Sequence, residues 1–218
     1  MRELERIATK VRAALDRLDG ARERAYRVSR DIVRRSADTI RAVHRSEFEA
    51  ARSALDETNQ AVRAMREAVA PHPQLAAAGF VQDAQKEHAE AQITYALIAG
   101  HEIPDPDEIG VAYAPYLNGA AEAVGELRRY VVDSIRLGRL DRSEAILNAM
   151  DDIYYALVTF DYPDAISLGL RRRTDAVRSI IEHTRADLTR ALRQRQLQES
   201  MRALEERLGS SGDETRTA

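Results

Sequence analysis

The chain has 218 residues, a formal net charge of −3, 44% hydrophobic and 32% charged residues, and neither cysteine nor tryptophan. That length suits one sizeable domain with its own core, and the missing cysteine excludes a disulfide framework, a thiolate metal site and a thiol nucleophile. No apolar run approaches about 18 residues and no leader-like pattern stands at the start, so a soluble cytoplasmic protein with no membrane partner is expected.

Leu4, Ile7, Val11, Leu15 and Leu18 recur at three- and four-residue spacing and predict a helix over residues 2–18. Gly20 predicts a break, after which helical periodicity resumes to about Val69. Pro71 and Pro73 in "APHPQ" stop it, because proline cannot extend a helical hydrogen-bond ladder. A helix over Ala76–Ala99 closes at Gly100, "HEIPDPDEIG" reads as a loop, and another helix covers Ala112–Leu137 before Gly138. Asp141 with Glu144 matches a capping box for a helix to about Thr159. Pro163 is placed to open the last and longest helix, which reaches about Leu208. Residues 209–218 read as a disordered tail, leaving 1–208 as a single helical domain. With no strand alternation and no repeat, the fold class is an all-α bundle of about six or seven helices, with long second and last helices.

Charge is segregated along these helices. At about 100° per residue, Arg27, Arg30, Arg34, Arg41 and Arg45 fall in one sector of one helix. Guanidiniums so placed repel one another unless an anion or neighbouring acids lie among them. The face therefore reads either as a phosphate surface or as a solvated face paired with acids of an adjacent helix. Lysine is nearly absent, at Lys10 and Lys86 alone.

The acids gather elsewhere. From His101 to Glu126 the chain carries Glu102, Asp105, Asp107, Glu108, Glu122 and Glu126, and no Lys or Arg. Glu122 and Glu126 lie opposite the apolar face formed by Leu117, Ala120, Val124, Leu127 and Val131, so they either solvate an exposed surface or hold something cationic. On the preceding helix Asp83, Glu87 and Glu90 share a sector bracketed by Phe80, Ala84 and Tyr95 on one side and by Ile93 and Leu97 on the other. If these helices are antiparallel neighbours, Glu87, Glu90, Glu122 and Glu126 converge as a cation-free set of hard oxygen ligands for Mg²⁺ or Mn²⁺. His44, His88 and His183 have no carboxylate at a metal-site spacing and read as structural or surface residues. "EHAE" is not HExxH, and there is no Gly-rich phosphate loop or nucleophile elbow.

Three segments together resemble the translin family, which includes translin and translin-associated factor X. They are "VSRDIVRRSADTIRAVHR" (Val28–Arg45), "YLNGAAEAVGELRRYVVDSIRLGRLD" (Tyr116–Asp141) and "IYYALVTFDYPDAISLGLRRRTDAVRSIIEHTRADLT" (Ile153–Thr189). The resemblance spans nearly the whole chain. It implies an all-α fold, hollow eight-subunit shells, binding of single-stranded RNA or DNA, and a Mg²⁺-dependent endoribonuclease in factor X-type subunits. The Glu-x-x-Glu of those subunits falls on Glu87 and Glu90, and their acid followed four residues later by the Glu of Gly-Glu-Leu falls on Glu122 and Glu126. Two departures stand out. Glu122 replaces the Asp usual in the eukaryotic factor, and the basic, histidine-rich binding segment of translin corresponds to "APHPQLAAAGF", where only His72 remains.

The expectation is a homo-oligomeric protein that binds single-stranded RNA, with ssDNA as a further ligand, and cuts RNA with Mg²⁺ or Mn²⁺. Glu87, Glu90 and Glu122 would ligate the metal, and Glu126 would ligate it too or act as the base. The alternatives are a family member that binds nucleic acid without cutting it, and a helical scaffold with no nucleic-acid role.

Overall fold

The computed structural model describes the backbone of residues 1–214 and the side chains of residues 1–207, and among these it contains helices and no strand. The helices are α1 (Arg2–His44), α2 (Phe48–Val69), α3 (Pro73–Ala76), α4 (Gly79–Ala99), α5 (Tyr113–Arg136), α6 (Ser143–Leu157), α7 (Asp164–Ser167) and α8 (Leu170–Glu214). None in the described residues is long and apolar enough to cross a membrane. The last helix continues past Leu208 to Glu214, and residues 215–218 of the expected tail lie outside the described residues.

The segmentation differs from the sequence reading at five places, one being the four-residue α3, which moves the start of α4 from Ala76 to Gly79 and, with α7, makes eight helices among the described residues rather than six or seven. Gly20 does not break the first helix: a helical glycine costs only about 1 kcal/mol relative to alanine, and its neighbours Ala21 and Ala25 are fully packed. The break falls at Ser46, which adopts the left-handed conformation at φ 60°. There the amides of Ser46 and Glu47 donate back to the carbonyls of Val43 and Ala42, the closure a glycine usually makes, so no composition signal announces it. The long helix is accordingly α1, at 43 residues, rather than the second. At the start of α6, Arg142 precedes the helix and no side chain caps it, so the Asp141–Glu144 capping box does not form. Pro163 caps the four-residue α7 instead of opening the last helix. Leu168 and Gly169, both at positive φ, then turn the chain into α8.

Two large apolar clusters, with a small third one of Ile40, Leu55 and Ala91, hold the bundle. One joins α1, α2, α3 and the first half of α4 through Ala25, Ile32, Val62, Met65, Val81 and Ala89. The other joins the later part of α4 to α5, α6 and α8 through Ile93, Ile98, Leu127, Met150, Val177 and Leu188. Arg128 of α5 ties the second cluster together at its surface, donating to Thr184 Oγ1 and Asp187 Oδ2 of α8, each at 3.0 Å.

The relation of α4 to α5 positions the carboxylates. Ala112 N–H donates to Gln85 Oε1 at 2.6 Å just before α5, Gly119 lies against Lys86–Glu90, and Arg142 beyond α5 reaches the carbonyls of Leu97 and Ile98 at the end of α4. Contacts therefore advance in the same direction along both helices. They run parallel, not antiparallel, because the connector after Gly100 travels back along α4 before α5 begins. At the crossing, a Cβ on Gly119 would stand 2.6 Å from Lys86 O, 2.8 Å from Ala89 Cβ and 2.9 Å from Glu90 N. Only glycine permits that approach.

Candidate metal centre and basic face

The close approach at Gly119 sets α4 carboxylates against those one turn further along α5. Glu87, Glu90 and Glu122 each offer an oxygen within 4.8 Å of the other two. Glu90 is half-buried, as Glu87 and Glu122 are, and has no hydrogen-bond or ion-pair partner among the described residues. Burial, reinforced by the charges of Glu87, Glu122 and Glu126 and only partly offset by Lys86, pushes its pKa up to about 8. A half-buried, unpartnered carboxylate beside two others fits a hard divalent cation, which would relieve that repulsion. A cavity of about 350 Å³ opens beside this group between α5 and α8, lined by Glu90, Glu122, Gly125, Arg173 and Ile180 among others.

The set is not free of cations. Lys86 Nζ lies 2.6 Å from Glu122 Oε2 and 3.1 Å from Glu87 Oε1, and Arg173 Nε of α8 donates to Glu122 Oε1 at 3.0 Å. Burial opposes the Lys86 charge, but the hydrogen bonds to Glu122 and Glu87 outweigh it and raise the pKa. Lys86 was legible as the neighbour of Glu87 in sequence. Arg173 was not, lying 51 residues from its partner.

Glu126 stands apart from the three. One turn beyond Glu122 on a parallel α5, it meets the end of α1, where His44 Nε2 lies 2.5 Å from Glu126 Oε2. That hydrogen bond holds the Glu126 carboxyl below its usual range against the opposing effect of burial. The His44 side chain is 6% exposed, so the pair is a feature of the interior edge of the site and not of the surface. The sequence reading of His44 as merely structural or superficial missed this contact, for which no local spacing gave a signal. The other two histidines do fit that reading. His88 is buried with Nε2 2.8 Å from Asn59 Oδ1, its pKa pushed down to about 4 by burial, and exposed His183 contacts its own helix through Ser179 O.

On α1, Arg27, Arg30, Arg34, Arg41 and Arg45 are all exposed, as the helical projection requires. Their acids come from the same stretch of chain and not from a neighbouring helix. Arg34 pairs with Asp31, Arg41 with Asp38, and Arg45 makes a two-pronged bond to Glu47 at 2.8 and 2.7 Å. Arg27 Nε reaches only the Glu23 carbonyl, and Arg30 has no partner among the described residues. Exposed pairs one turn apart contribute well under about 1 kcal/mol each, so such arginines remain available to a competing anion.

No family model matches the chain. The "Uncharacterized protein MJ0175" of Methanocaldococcus jannaschii is 29% identical over 189 residues, covering 86% of this chain and 83% of the relative. Among solved structures, the AfC3PO–duplex RNA complex is similar with a TM-score of 0.77 and 32% identity, over 86% of this chain and 97% of that one. A crystal structure of AfC3PO is similar with a TM-score of 0.75 and 33% identity, over 86% of this chain and 98% of that one. Apo-NeC3PO shares the fold with a TM-score of 0.76 at 19% identity, over 84% of this chain and 96% of that one.

Proposed function

Because this chain belongs to the translin family, we propose that it binds RNA and cuts it at a divalent-metal site formed by Glu87, Glu90 and Glu122. The observation that carries this reading is the convergence of three half-buried carboxylates, one of them unpartnered, beside an open cavity. A bound Mg²⁺ or Mn²⁺ would supply a Lewis acid and an activated water for attack on the phosphodiester. The chain's own residues hold and orient. Glu87, Glu90 and Glu122 present the oxygens, and Arg173, anchored by Asn118 Oδ1 at 2.9 Å, fixes the Glu122 carboxylate while facing the cavity where a phosphate would lie. Glu126 and His44 form the adjoining proton-handling pair. The exposed arginines of α1 are the proposed backbone contacts.

The duplex RNA bound by AfC3PO widens the substrate class from single-stranded RNA, or ssDNA, to include duplex RNA. Assembly into a homo-oligomeric shell of eight subunits belongs to the same proposal. It is supported by exposed apolar stripes at Leu4, Ile7, Val11 and Leu15 of α1 and at Leu197, Met201 and Leu204 of α8. A second reading, binding without cleavage, draws on Lys86 and Arg173, which already neutralise Glu122. One experiment separates them: labelled single-stranded and duplex RNA incubated with the protein in Mg²⁺, in Mn²⁺ and in EDTA. Metal-dependent cutting lost in Glu87→Gln/Glu90→Gln supports the nuclease reading. Retention of RNA without any cutting supports the binder.

A further inference from the structure

The carboxylates assigned above to a divalent ion already hold a cation of the chain's own. Lys86 Nζ sits between Glu122 Oε2 and Glu87 Oε1, at 2.6 and 3.1 Å, with its side chain only 14% exposed. An ammonium and a divalent ion cannot share those oxygens, since two cations within a few ångströms in a partly desolvated site repel strongly. One of them must leave.

The two resident cations differ in how tightly the fold keeps them. Arg173 is bonded to Asn118 Oδ1 at 2.9 Å and to the Leu168 carbonyl at 3.1 Å besides Glu122, so its guanidinium is fixed on α8. Among the described residues Lys86 has no partner but the two carboxylates, on a flexible four-carbon stem. It also has somewhere to go. A cavity of about 160 Å³ beside it is lined by Lys86, Gln82 and Asp83 of α4 and by Asn118 and Arg173. Asp83 lies three residues before Lys86, is exposed, and has no hydrogen-bond or ion-pair partner among the described residues. An acid one turn N-terminal to a lysine is well placed to receive it.

We propose that Lys86 is a built-in stand-in cation: it occupies the Glu87–Glu122 pair when the metal is away and swings to Asp83 when the metal binds, so that it sets the affinity of the site. This rests on the reading that Glu87, Glu90 and Glu122 hold a divalent ion. Its consequence is a site that stays closed to weak or dilute cations and does not collapse by self-repulsion when empty.

Calorimetric titration of the full chain with Mn²⁺, without RNA, tests it on wild type, Lys86→Met, Lys86→Gln, Asp83→Asn and Lys86→Met/Asp83→Asn, each checked for helicity by circular dichroism. Removing the competing charge should tighten Mn²⁺ binding at least about tenfold in both Lys86 variants. Asp83→Asn should weaken it about threefold in wild type and leave it unchanged in the Lys86→Met background, where no ammonium needs a second home. Equal Mn²⁺ affinity in wild type and in whichever Lys86 variants retain native helicity overturns the inference and leaves the proposed function standing. An Asp83→Asn effect of the same size in both backgrounds overturns the swing to Asp83. Absence of Mn²⁺ binding in every variant overturns the inference together with the reading it rests on.

Discussion

On α1, each paired arginine of the basic face finds its acid within one turn of the same chain segment: Arg34 with Asp31, Arg41 with Asp38, Arg45 with Glu47. Around Glu122 and Glu126 the principal partners are set by tertiary packing, with Arg129, 3.7 Å from Glu126, the one on the same helix. Glu122 takes Lys86 and Arg173, and Glu126 takes His44 from the end of α1. The first kind of pair is exposed, weak and exchangeable, and does not depend on the fold. The second is half-buried, raises the pKa of Lys86 and lowers that of Glu126, and exists only while the helices keep their places. A surface meant to release its counter-charges to a nucleic-acid backbone suits the first arrangement. A site meant to hold charge in a fixed geometry requires the second.

The largest expected effect strikes the acid side alone. Glu87→Gln/Glu90→Gln should lower metal-dependent RNA cleavage at least about a hundredfold, while filter binding of RNA persists. Cleavage that survives the double change, in protein free of contaminating nuclease, would move the chemistry away from this face.

Stability against pH sharpens the contrast. Glu90 keeps its proton to about pH 8 in the fold and loses it near 4.5 when unfolded, so the folded chain binds more protons throughout that window. Its stabilising contribution is complete below the unfolded value and is lost as pH rises through about 8. Glu90→Gln removes that loss. It should raise Tm at pH 8 by several degrees over wild type, the gain shrinking towards pH 5. Added Mn²⁺ should do for wild type what the substitution does for the variant. A Tm difference independent of pH would show that Glu90 is not held protonated by its surroundings.

Gly119→Ala is expected to be next in size. Its Cβ would meet the Lys86 carbonyl at 2.6 Å, backbone that cannot swing aside, so α4 and α5 must separate at a cost of about 1–3 kcal/mol. Thermal unfolding should register the loss, and Mn²⁺ affinity should fall with it, because the same crossing sets the distance between Glu90 and Glu122. Unchanged metal binding in a destabilised variant would uncouple the helix crossing from the site.

The smallest effect belongs to the basic face. Arg30→Ala/Arg34→Ala should weaken RNA binding and flatten the slope of log affinity against log salt by about 1–2 units, without touching Mn²⁺ affinity or Tm. An unaltered slope would take this face out of the RNA path.

The sequence by itself was enough to determine the all-α class, the extent of α5 to within a residue of each end, and the stop of α4 at Gly100, which sits in the left-handed conformation at φ 86°. It also determined that Glu87 and Glu90 share one face and Glu122 and Glu126 another. These are local properties: helical periodicity, the ring of proline and the freedom of glycine act over a few residues and are visible in a short window. Only the tertiary structure decided that α4 and α5 run parallel, that Lys86 and Arg173 enter the carboxylate set, and that Glu126 leaves it for His44. It decided likewise that α1 passes through Gly20 unbroken and turns at Ser46. Each of these depends on the path of a connector or on packing against a distant helix. The 101–111 loop could lead into α5 in either sense, and the choice was made by which apolar faces the two clusters bury together. Reversing that sense would leave every periodicity in the sequence unchanged and give Glu90, Glu122 and Glu126 different neighbours.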